Sequence, residues 1–208
     1  TPGMPPLDVY YDLHKLGIPT VFLVRLPKGL DGNVVRFDNI QPAFKAVDYL
    51  AECGCERIAM FGIRHANPDA VQERLEGYRK GLRKHGLPVN DDWICMPDSL
   101  DKARADLSML FAGHNRPDAV FCLNDVYAAF LIKHLTRLGI DIPQHVKVVG
   151  FDNKSIGAQL SVPLTSMEVP VDVIGERAAD LLLRQIRHPE ANFKKIAVNA
   201  KIVKRVSA

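Results

Sequence analysis

Residues 119–125, Ala-Val-Phe-Cys-Leu-Asn-Asp, place five apolar residues in a row before two polar ones. A short apolar run of this kind is typical of a strand buried on both faces, as in a parallel sheet. A helical apolar pattern follows from Ala128 to Leu138 and ends at Gly139. A strand that leads directly into a helix is the repeating unit of parallel sheets, so this stretch predicts the fold class.

The same alternation extends along most of the chain. Amphipathic helices are predicted at residues 40–51, 71–82, 100–111, 128–138 and 174–186, and strands at residues 57–61, 93–96, 119–123, 146–149 and 196–203. This order predicts an α/β fold with a parallel sheet and right-handed crossovers, which place helices on both faces.

The first 39 residues contain too little regular structure for a lobe of their own. They predict a helix over residues 5–16, a buried strand over 20–24 and a second strand over 34–37. Two strands and one helix do not enclose a core. Either this piece packs on the rest of the chain, or a preceding segment is missing, and we expect the natural protein to be longer at its N-terminus.

Composition excludes several classes of protein. The 208 residues carry 27 Lys and Arg against 24 Asp and Glu, and 47% of them are hydrophobic, which is typical of a globular protein. No apolar run reaches the roughly 20 residues of a membrane helix, and residues 1–7 lack a signal-peptide pattern. The net charge of +3 is too small to predict DNA binding by these residues themselves.

The reactive side chains show no spacing that indicates catalysis or metal binding. Four cysteines, Cys53, Cys55, Cys95 and Cys122, match neither a disulfide framework nor a zinc site, and we expect buried free thiols in a reducing cytoplasm. The seven histidines are scattered, and nucleophile-elbow, phosphate-loop and zinc-protease motifs are absent from the sequence. We therefore expect no enzyme activity, no metal and no cofactor.

Polar side chains follow the predicted strands, where ligands bind in open parallel sheets. They are Arg64 and His65 after the first strand of the alternating block, Asp98 and Ser99 after the second, Asn124 and Asp125 after the third, and Asp152 after the fourth. Arg74 lies near the start of the helix that follows the first of these loops. Such donors and acceptors suit the hydroxyls of a sugar or the edges of a base.

Several of these residues have alternative interpretations. Asp125, Asp98 and Ser99 precede or begin helices and would serve as N-caps. Arg74 would form a surface ion pair with Glu73 or Glu76. Asp152 has no helical pattern directly after it, so capping explains it less well and ligand contact explains it better.

A series of motifs in register resembles the effector-binding domain of the LacI/GalR family of bacterial transcriptional regulators. The motifs are Val34-Val35-Arg36-Phe37-Asp38-Asn39, Arg74-Leu75-Glu76-Gly77-Tyr78, Arg116-Pro117-Asp118-Ala119-Val120-Phe121 with Asn124-Asp125, Gly139-Ile140-Asp141-Ile142-Pro143, Val148-Val149-Gly150-Phe151-Asp152-Asn153, and the closing Val203-Lys204-Arg205-Val206-Ser207. The series covers nearly the whole chain.

This resemblance implies a type I periplasmic-binding-protein-like fold, in which two doubly wound parallel-sheet lobes joined by a hinge close on a ligand. Residues 1–37 and 169–190 would belong to an incomplete N-terminal lobe. Residues 38–168 and 191–208 would form the C-terminal lobe.

The resemblance also implies a site and a function. The ligand-binding residues of the family correspond to Arg74, Asn124 and Asp152, with Asp98, Ser99 and His65 as further candidates at the same edge. Ser99 stands where relatives carry a stacking aromatic residue. The implied protein is a cytoplasmic homodimer that senses a small molecule of the sugar class and controls operator DNA through an N-terminal head absent from this chain, with no membrane contact. The alternative is a periplasmic sugar-binding protein of transport or chemotaxis.

Overall fold

The computed structural model describes residues 7–27, 29–64 and 68–208. In chain order, the elements of these residues are α1 (Leu7–Lys15), β1 (Val21–Val24), β2 (Asn33–Phe37), α2 (Ile40–Glu52), β3 (Ile58–Phe61), α3 (Pro68–Lys84), β4 (Ile94–Cys95), α4 (Leu100–Leu110), β5 (Ala119–Cys122), α5 (Asp125–Arg137), β6 (Lys147–Asp152), α6 (Ser155–Ala158), β7 (Thr165–Glu168), α7 (Val171–Arg187), β8 (Lys195–Val198) and β9 (Lys201–Val203).

The chain divides into two compact units. The first contains the described residues of Thr1–Asp38 together with Pro170–Asn199. The second contains Asn39–Val169 and Ala200–Ala208, apart from residues 65–67, which the structure does not describe. The chain therefore passes from one unit to the other three times.

The second unit is built on a six-stranded sheet in the order β4-β3-β5-β6-β7-β9. All neighbouring pairs are parallel except β7 and β9, which are antiparallel. Strands β3 and β5 are buried along their whole length, as their continuous apolar sequences predict. The predicted parallel α/β fold is thus confirmed.

Helix α3, which carries Arg74, packs closely against α2. A Cβ atom on Gly77 would lie 2.2 Å from the carbonyl oxygen of Ile40, and one on Gly81 would lie 2.7 Å from Cβ of Val47. The two glycines therefore let the helix backbones approach more closely than larger residues would allow.

The first unit is smaller and has a three-stranded parallel sheet in the order β1-β2-β8. Here two predictions are wrong. Strand β1 is not buried: its last two residues, Leu23 and Val24, are exposed, because β1 lies at the edge of the sheet. The single strand predicted over residues 196–203 is two strands, β8 and β9, which belong to different sheets and different units.

The division of the chain near its C-terminus also differs from the expectation. Residues 191–199 were expected in the C-terminal lobe, whereas they lie in the first unit, because β8 pairs with β2. Strand β7 was not predicted as a strand at all. It lies between β6 and β9, and Thr165, Ser166 and Met167 are buried there.

The four cysteines are free, with Cys55, Cys95 and Cys122 buried and Cys53 half-buried. Burial raises the pKa of the Cys55 thiol to about 11 and that of Cys95 to about 12, so both stay protonated at neutral pH. In the described part of the chain, none of the helices combines the length and the apolar composition needed to cross a bilayer.

Candidate functional site

The candidate site lies in the second unit, where β5 and β6 end and α3 begins. Arg74 reaches this edge from the first half of α3, and Asp152 is the last residue of β6. Leu123 and Asn124 follow β5 directly. The carboxyl ends of parallel strands meet at one edge of a sheet, which is why residues distant in sequence come together here.

Arg74 is held by contacts on several sides of its guanidinium group. Its Nε donates a hydrogen bond to Oδ1 of Asn39 at 2.9 Å, and its Nη1 donates to the carbonyl oxygen of Leu123. Its guanidinium carbon lies 3.6 Å from the centroid of the Phe151 ring, a cation–π arrangement. The side chain is 14% exposed, and burial lowers the pKa of Arg74 to about 10, so it stays charged at neutral pH.

Asn39 fixes the orientation of Arg74 from the start of the second unit. It is buried immediately before α2, and its Nδ2 donates to a carboxylate oxygen of Glu73 at 2.8 Å. The amide oxygen is thereby turned toward Arg74. Of the two helix neighbours suggested as ion-pair partners of Arg74, Glu76 pairs with Lys80 instead, whereas Glu73 bonds to Asn39 and its charge still acts on Arg74.

Asp152 completes a charged pair with Arg74. Its Oδ1 lies 3.8 Å from Nη2 of Arg74, and its Oδ2 lies 3.7 Å from Nζ of Lys154. Burial raises the pKa of the Asp152 carboxyl above its ordinary value, and the charges of Arg74 and Lys154 oppose that rise. A quarter of the side chain is exposed, so the carboxylate is open to a ligand.

The helix cap expected at Asp125 is supplied by Asn124 instead. Asn124 caps α5, since its Oδ1 accepts the N–H of Tyr127 at 2.9 Å. Asp125, expected as a cap, is fully buried and bonds to Ser166 and to the backbone of Lys154. Asn124 still lies next to Leu123, whose carbonyl oxygen binds Arg74, and therefore stays beside the charged pair.

The remaining candidates lie at or near the head of α4, or outside the described residues. Ser99 is the N-cap of α4 and accepts the N–H of Lys102 at 3.4 Å. Asp98 forms an exposed ion pair with Nζ of Lys102 at 2.9 Å. Capping therefore describes Ser99, as the alternative interpretation expected. His65 lies outside the described residues.

This arrangement suits the binding of a polar, uncharged ligand. Hydrogen bonds within the described chain use two of the five guanidinium N–H donors of Arg74. The 3.8 Å between Nη2 and the Asp152 carboxylate exceeds a hydrogen bond, so a hydroxyl would bridge the two by accepting from one and donating to the other. Residues 7–27, 29–64 and 68–208 contain no group of three or more His, Cys, Asp or Glu side chains that could hold a metal ion.

Two contributors to this site went unnoticed in the sequence. Phe151 is a fully buried apolar residue, and Asn39 lies 35 residues before its partner Arg74. Both stand inside motifs that carry the family resemblance, yet neither has a local pattern that marks it. Only the packing of α2, α3 and β6 brings them to Arg74.

Comparison with known proteins identifies a related family. The model of the periplasmic binding protein-like domain matches residues 47–208. Among curated proteins, the HTH-type transcriptional repressor PurR of Vibrio cholerae is 32% identical over 195 residues, covering 93% of this chain and 57% of the relative. The ribose operon repressor of Escherichia coli is 28% identical and covers 92% and 58%. The chain thus spans somewhat over half the length of these relatives.

Solved structures give the same picture. A transcriptional regulator CelR–cellobiose complex has a TM-score of 0.80 and 27% identity, covering 94% of this chain and 61% of that one. A LacI family transcriptional regulator from Enterococcus faecium with bound ribose has a TM-score of 0.80 and 26% identity, covering 96% and 74%.

Proposed function

This chain belongs to the periplasmic binding protein-like domain family, as an effector domain of the LacI/GalR type, and we propose that it binds a small polyhydroxylated effector, a sugar or a related metabolite. Its relatives are named as repressors and regulators, which favours this function over the periplasmic transport alternative and over an enzyme.

The observation that carries the proposal is the Arg74–Asp152 pair. Arg74 is fixed in place by Asn39, Leu123 and Phe151, so little side-chain freedom is lost when a ligand binds. Asp152 is partly exposed beside it. A rigid donor and a rigid acceptor at the carboxyl ends of strands recognise neighbouring hydroxyls, which is the chemistry of a sugar.

The ligand-contacting residues that we propose are Arg74, Asn124 and Asp152, with Asp98, Ser99 and His65 as outer contributors. The sugar class is supported by relatives whose names include cellobiose, ribose and the ribose operon. Ser99 offers a hydroxyl where the resemblance leads us to expect a stacking aromatic ring, so this position favours hydrogen bonding over stacking on a flat ligand face.

The activity of the whole protein follows as a further part of the proposal. A DNA-binding head that precedes this chain would bind operator DNA in the cytoplasm. The effector would control that binding through its different affinities for two states of the effector domain.

We also propose that the chain forms a homodimer. On the second unit, Val126 of α5 and Ile156 of α6 are 44% and 45% exposed. On the same unit, a groove of about 490 Å³ is lined by Ala129, Phe130, Ile132, Lys133, Thr136, Arg137, Leu160 and Ser161. Apolar surface of this kind is typical of an interface. Sedimentation of the wild-type chain and of Ile156→Asp tests this, with a dimer that dissociates in the variant as the expected result.

The experiment that tests the ligand is a thermal-shift screen of pentoses, hexoses, sugar phosphates and purines. A ligand at about 100 times its dissociation constant adds roughly 2.7 kcal/mol to the free energy of unfolding, so a true effector raises Tm by several degrees. Arg74→Ala and Asp152→Ala should abolish the shift. Arg79→Ala, on the same helix but paired with exposed Asp91, should keep it.

Two outcomes of the screen would contradict the proposed site or function. A sugar that shifts the wild type and both site variants equally would place the ligand elsewhere. Turnover of a sugar or nucleoside that Asp152→Ala abolishes would instead favour an enzyme.

A further inference from the structure

Asp125 is a buried carboxyl group that the ligand site described above does not use. It is fully buried at the first residue of α5, where Asn124 already supplies the cap. Burial raises the pKa of the Asp125 carboxyl above its ordinary value. A buried ionisable group needs well-formed hydrogen bonds to be tolerated, so its partners indicate its role.

Asp125 bonds to the backbone of Phe151 in β6, and its other two hydrogen-bond partners belong to the turn after β6 or support it. The Ser166 hydroxyl donates to Oδ1 of Asp125 at 2.6 Å, and the backbone N–H of Lys154 donates to Oδ2 at 2.5 Å. Ser166 Oγ in turn accepts the backbone N–H of Asn153 at 3.1 Å. The carboxylate and the hydroxyl therefore hold the two residues that directly follow Asp152.

This turn has an unfavourable backbone conformation. Asp152 has φ +97° and Asn153 has φ +52°, in the left-handed region that residues with a Cβ atom rarely occupy. Such residues persist where the surrounding structure holds them. Two further bonds help to do so: Arg205 donates to the Asn153 side chain at 2.7 Å, and Asn153 donates to Glu168 at 3.2 Å.

Gly150 gives Asp125 the space to reach the turn beneath β6. A Cβ atom at Gly150 would lie 2.4 Å from Oδ1 of Asp125. The glycine is therefore needed for a close approach of the carboxylate to the strand that ends in Asp152.

We propose that Asp125 and Ser166 are positioning residues, which hold the turn after β6 so that Asp152 presents its carboxylate beside Arg74. The inference rests on the proposed function of that pair as the ligand site. Neither residue touches the ligand. Their contribution is to keep Asp152 in its binding geometry before the ligand arrives, which reduces the entropy lost on binding.

The test compares Ser166→Ala with a matched control in the full chain. Ser207→Ala also removes a buried hydroxyl with two hydrogen bonds, to the N–H of Thr165 and the carbonyl of Val148, neither of which belongs to the turn after β6. Ser166→Thr keeps the hydroxyl. The readouts are amide hydrogen exchange at Asn153 and Lys154, and calorimetry with D-ribose.

We expect Ser166→Ala to speed exchange of the two turn amides by about tenfold and to weaken D-ribose binding by about three- to tenfold. Ser166→Thr should restore both, and Ser207→Ala should leave both unchanged. Asp125→Asn, which keeps the side-chain shape and removes its charge, should act in the same direction as Ser166→Ala.

Unchanged turn exchange in Ser166→Ala would overturn the inference, and so would an equal change in Ser207→Ala. Faster exchange with unaltered D-ribose affinity would also overturn it, since the turn would then not position the ligand site. Absence of D-ribose binding by the wild-type chain would count against the proposed ligand, while the exchange experiment would still decide the role of Ser166.

Discussion

The guanidinium group of Arg74 stacks over the ring of Phe151, with 3.6 Å between the guanidinium carbon and the ring centroid. Phe151 is fully buried in β6, next to Asp152. The same strand therefore supplies both the surface on which Arg74 rests and the carboxylate that it faces. A lysine at position 74 would keep the charge but not the planar stacking or the paired donors.

We expect Arg74→Lys to weaken binding of the effector found in the sugar screen by at least about tenfold. A hydrogen bond to a charged group contributes roughly 1.5–3 kcal/mol, and the ammonium group cannot replace the Nε and Nη bonds together. Calorimetry measures the affinity. Arg79→Lys, in the same helix, is the control, and equal affinities in the two variants would contradict the site.

Ligand binding should depend on pH through Asp152. Burial raises the pKa of this carboxyl above the ordinary value of 3.8, so on acidification it takes up a proton before an exposed aspartate does. The ionised form accepts the ligand hydroxyls. The affinity should therefore rise with pH and level off above the pKa of the unliganded chain.

Titrating the dissociation constant between about pH 4 and pH 8 measures this effect. Asp152→Asn should bind weakly at every pH, with the dependence lost. A wild-type affinity that is constant down to pH 4 would contradict the assignment of Asp152 as the acceptor.

Gly150→Ala should destabilise the second unit. Its Cβ would lie 2.4 Å from Oδ1 of Asp125 and 2.8 Å from Cδ2 of Leu164, both in a buried region. Such overpacking costs about 1–3 kcal/mol. Gly175→Ala in α7, where nothing lies within 4 Å of the added Cβ, should instead stabilise the chain by about 0.4–1 kcal/mol. Denaturant unfolding of both variants distinguishes these opposite signs.

His134 should make stability depend on pH near neutrality. Burial and the charges of Arg104 and Arg137 lower the pKa of His134 below 6.5. Between that lowered value and 6.5 the unfolded chain binds more protons than the folded one, so the free energy of unfolding falls as pH drops through this window. The slope should stay well below the limit of about 1.4 kcal/mol per pH unit, because solvent screens this half-buried side chain.

His134→Gln should remove this part of the slope, since glutamine does not titrate. Chemical denaturation at several pH values from about 5 to 8 measures it. His188→Gln, on the exposed end of α7, serves as the control. A slope that persists unchanged in His134→Gln would show that another group is responsible.

Local sequence patterns determined most of the architecture. Strands β3, β5 and β6 are mainly apolar because they are buried on both faces. The helices between them are amphipathic because each is buried on one face. Ligands bind at the carboxyl ends of such strands, so the order of elements also made Asn124 and Asp152 candidates for the site. Arg74 became a candidate because it lies near the start of the helix that follows β3.

Other features depended on contacts between distant segments. The strands with which they pair determine that β8 and β9 are separate and that β7 is a strand. These short segments mix polar and apolar residues and have no strong pattern of their own. The same applies to Asp125, whose sequence position indicates a helix cap. Its actual partner Ser166 lies 41 residues away.

The sequence by itself therefore determined the fold class, the edge of the sheet at which we propose that the ligand binds and the residue types available there. Only the tertiary structure decided which of those residues meet: Asn39 and Phe151 with Arg74, and Ser166 with Asp125. The physical reason is that periodicity records burial over a few residues, whereas a hydrogen bond or a ring contact depends on how whole helices and strands pack.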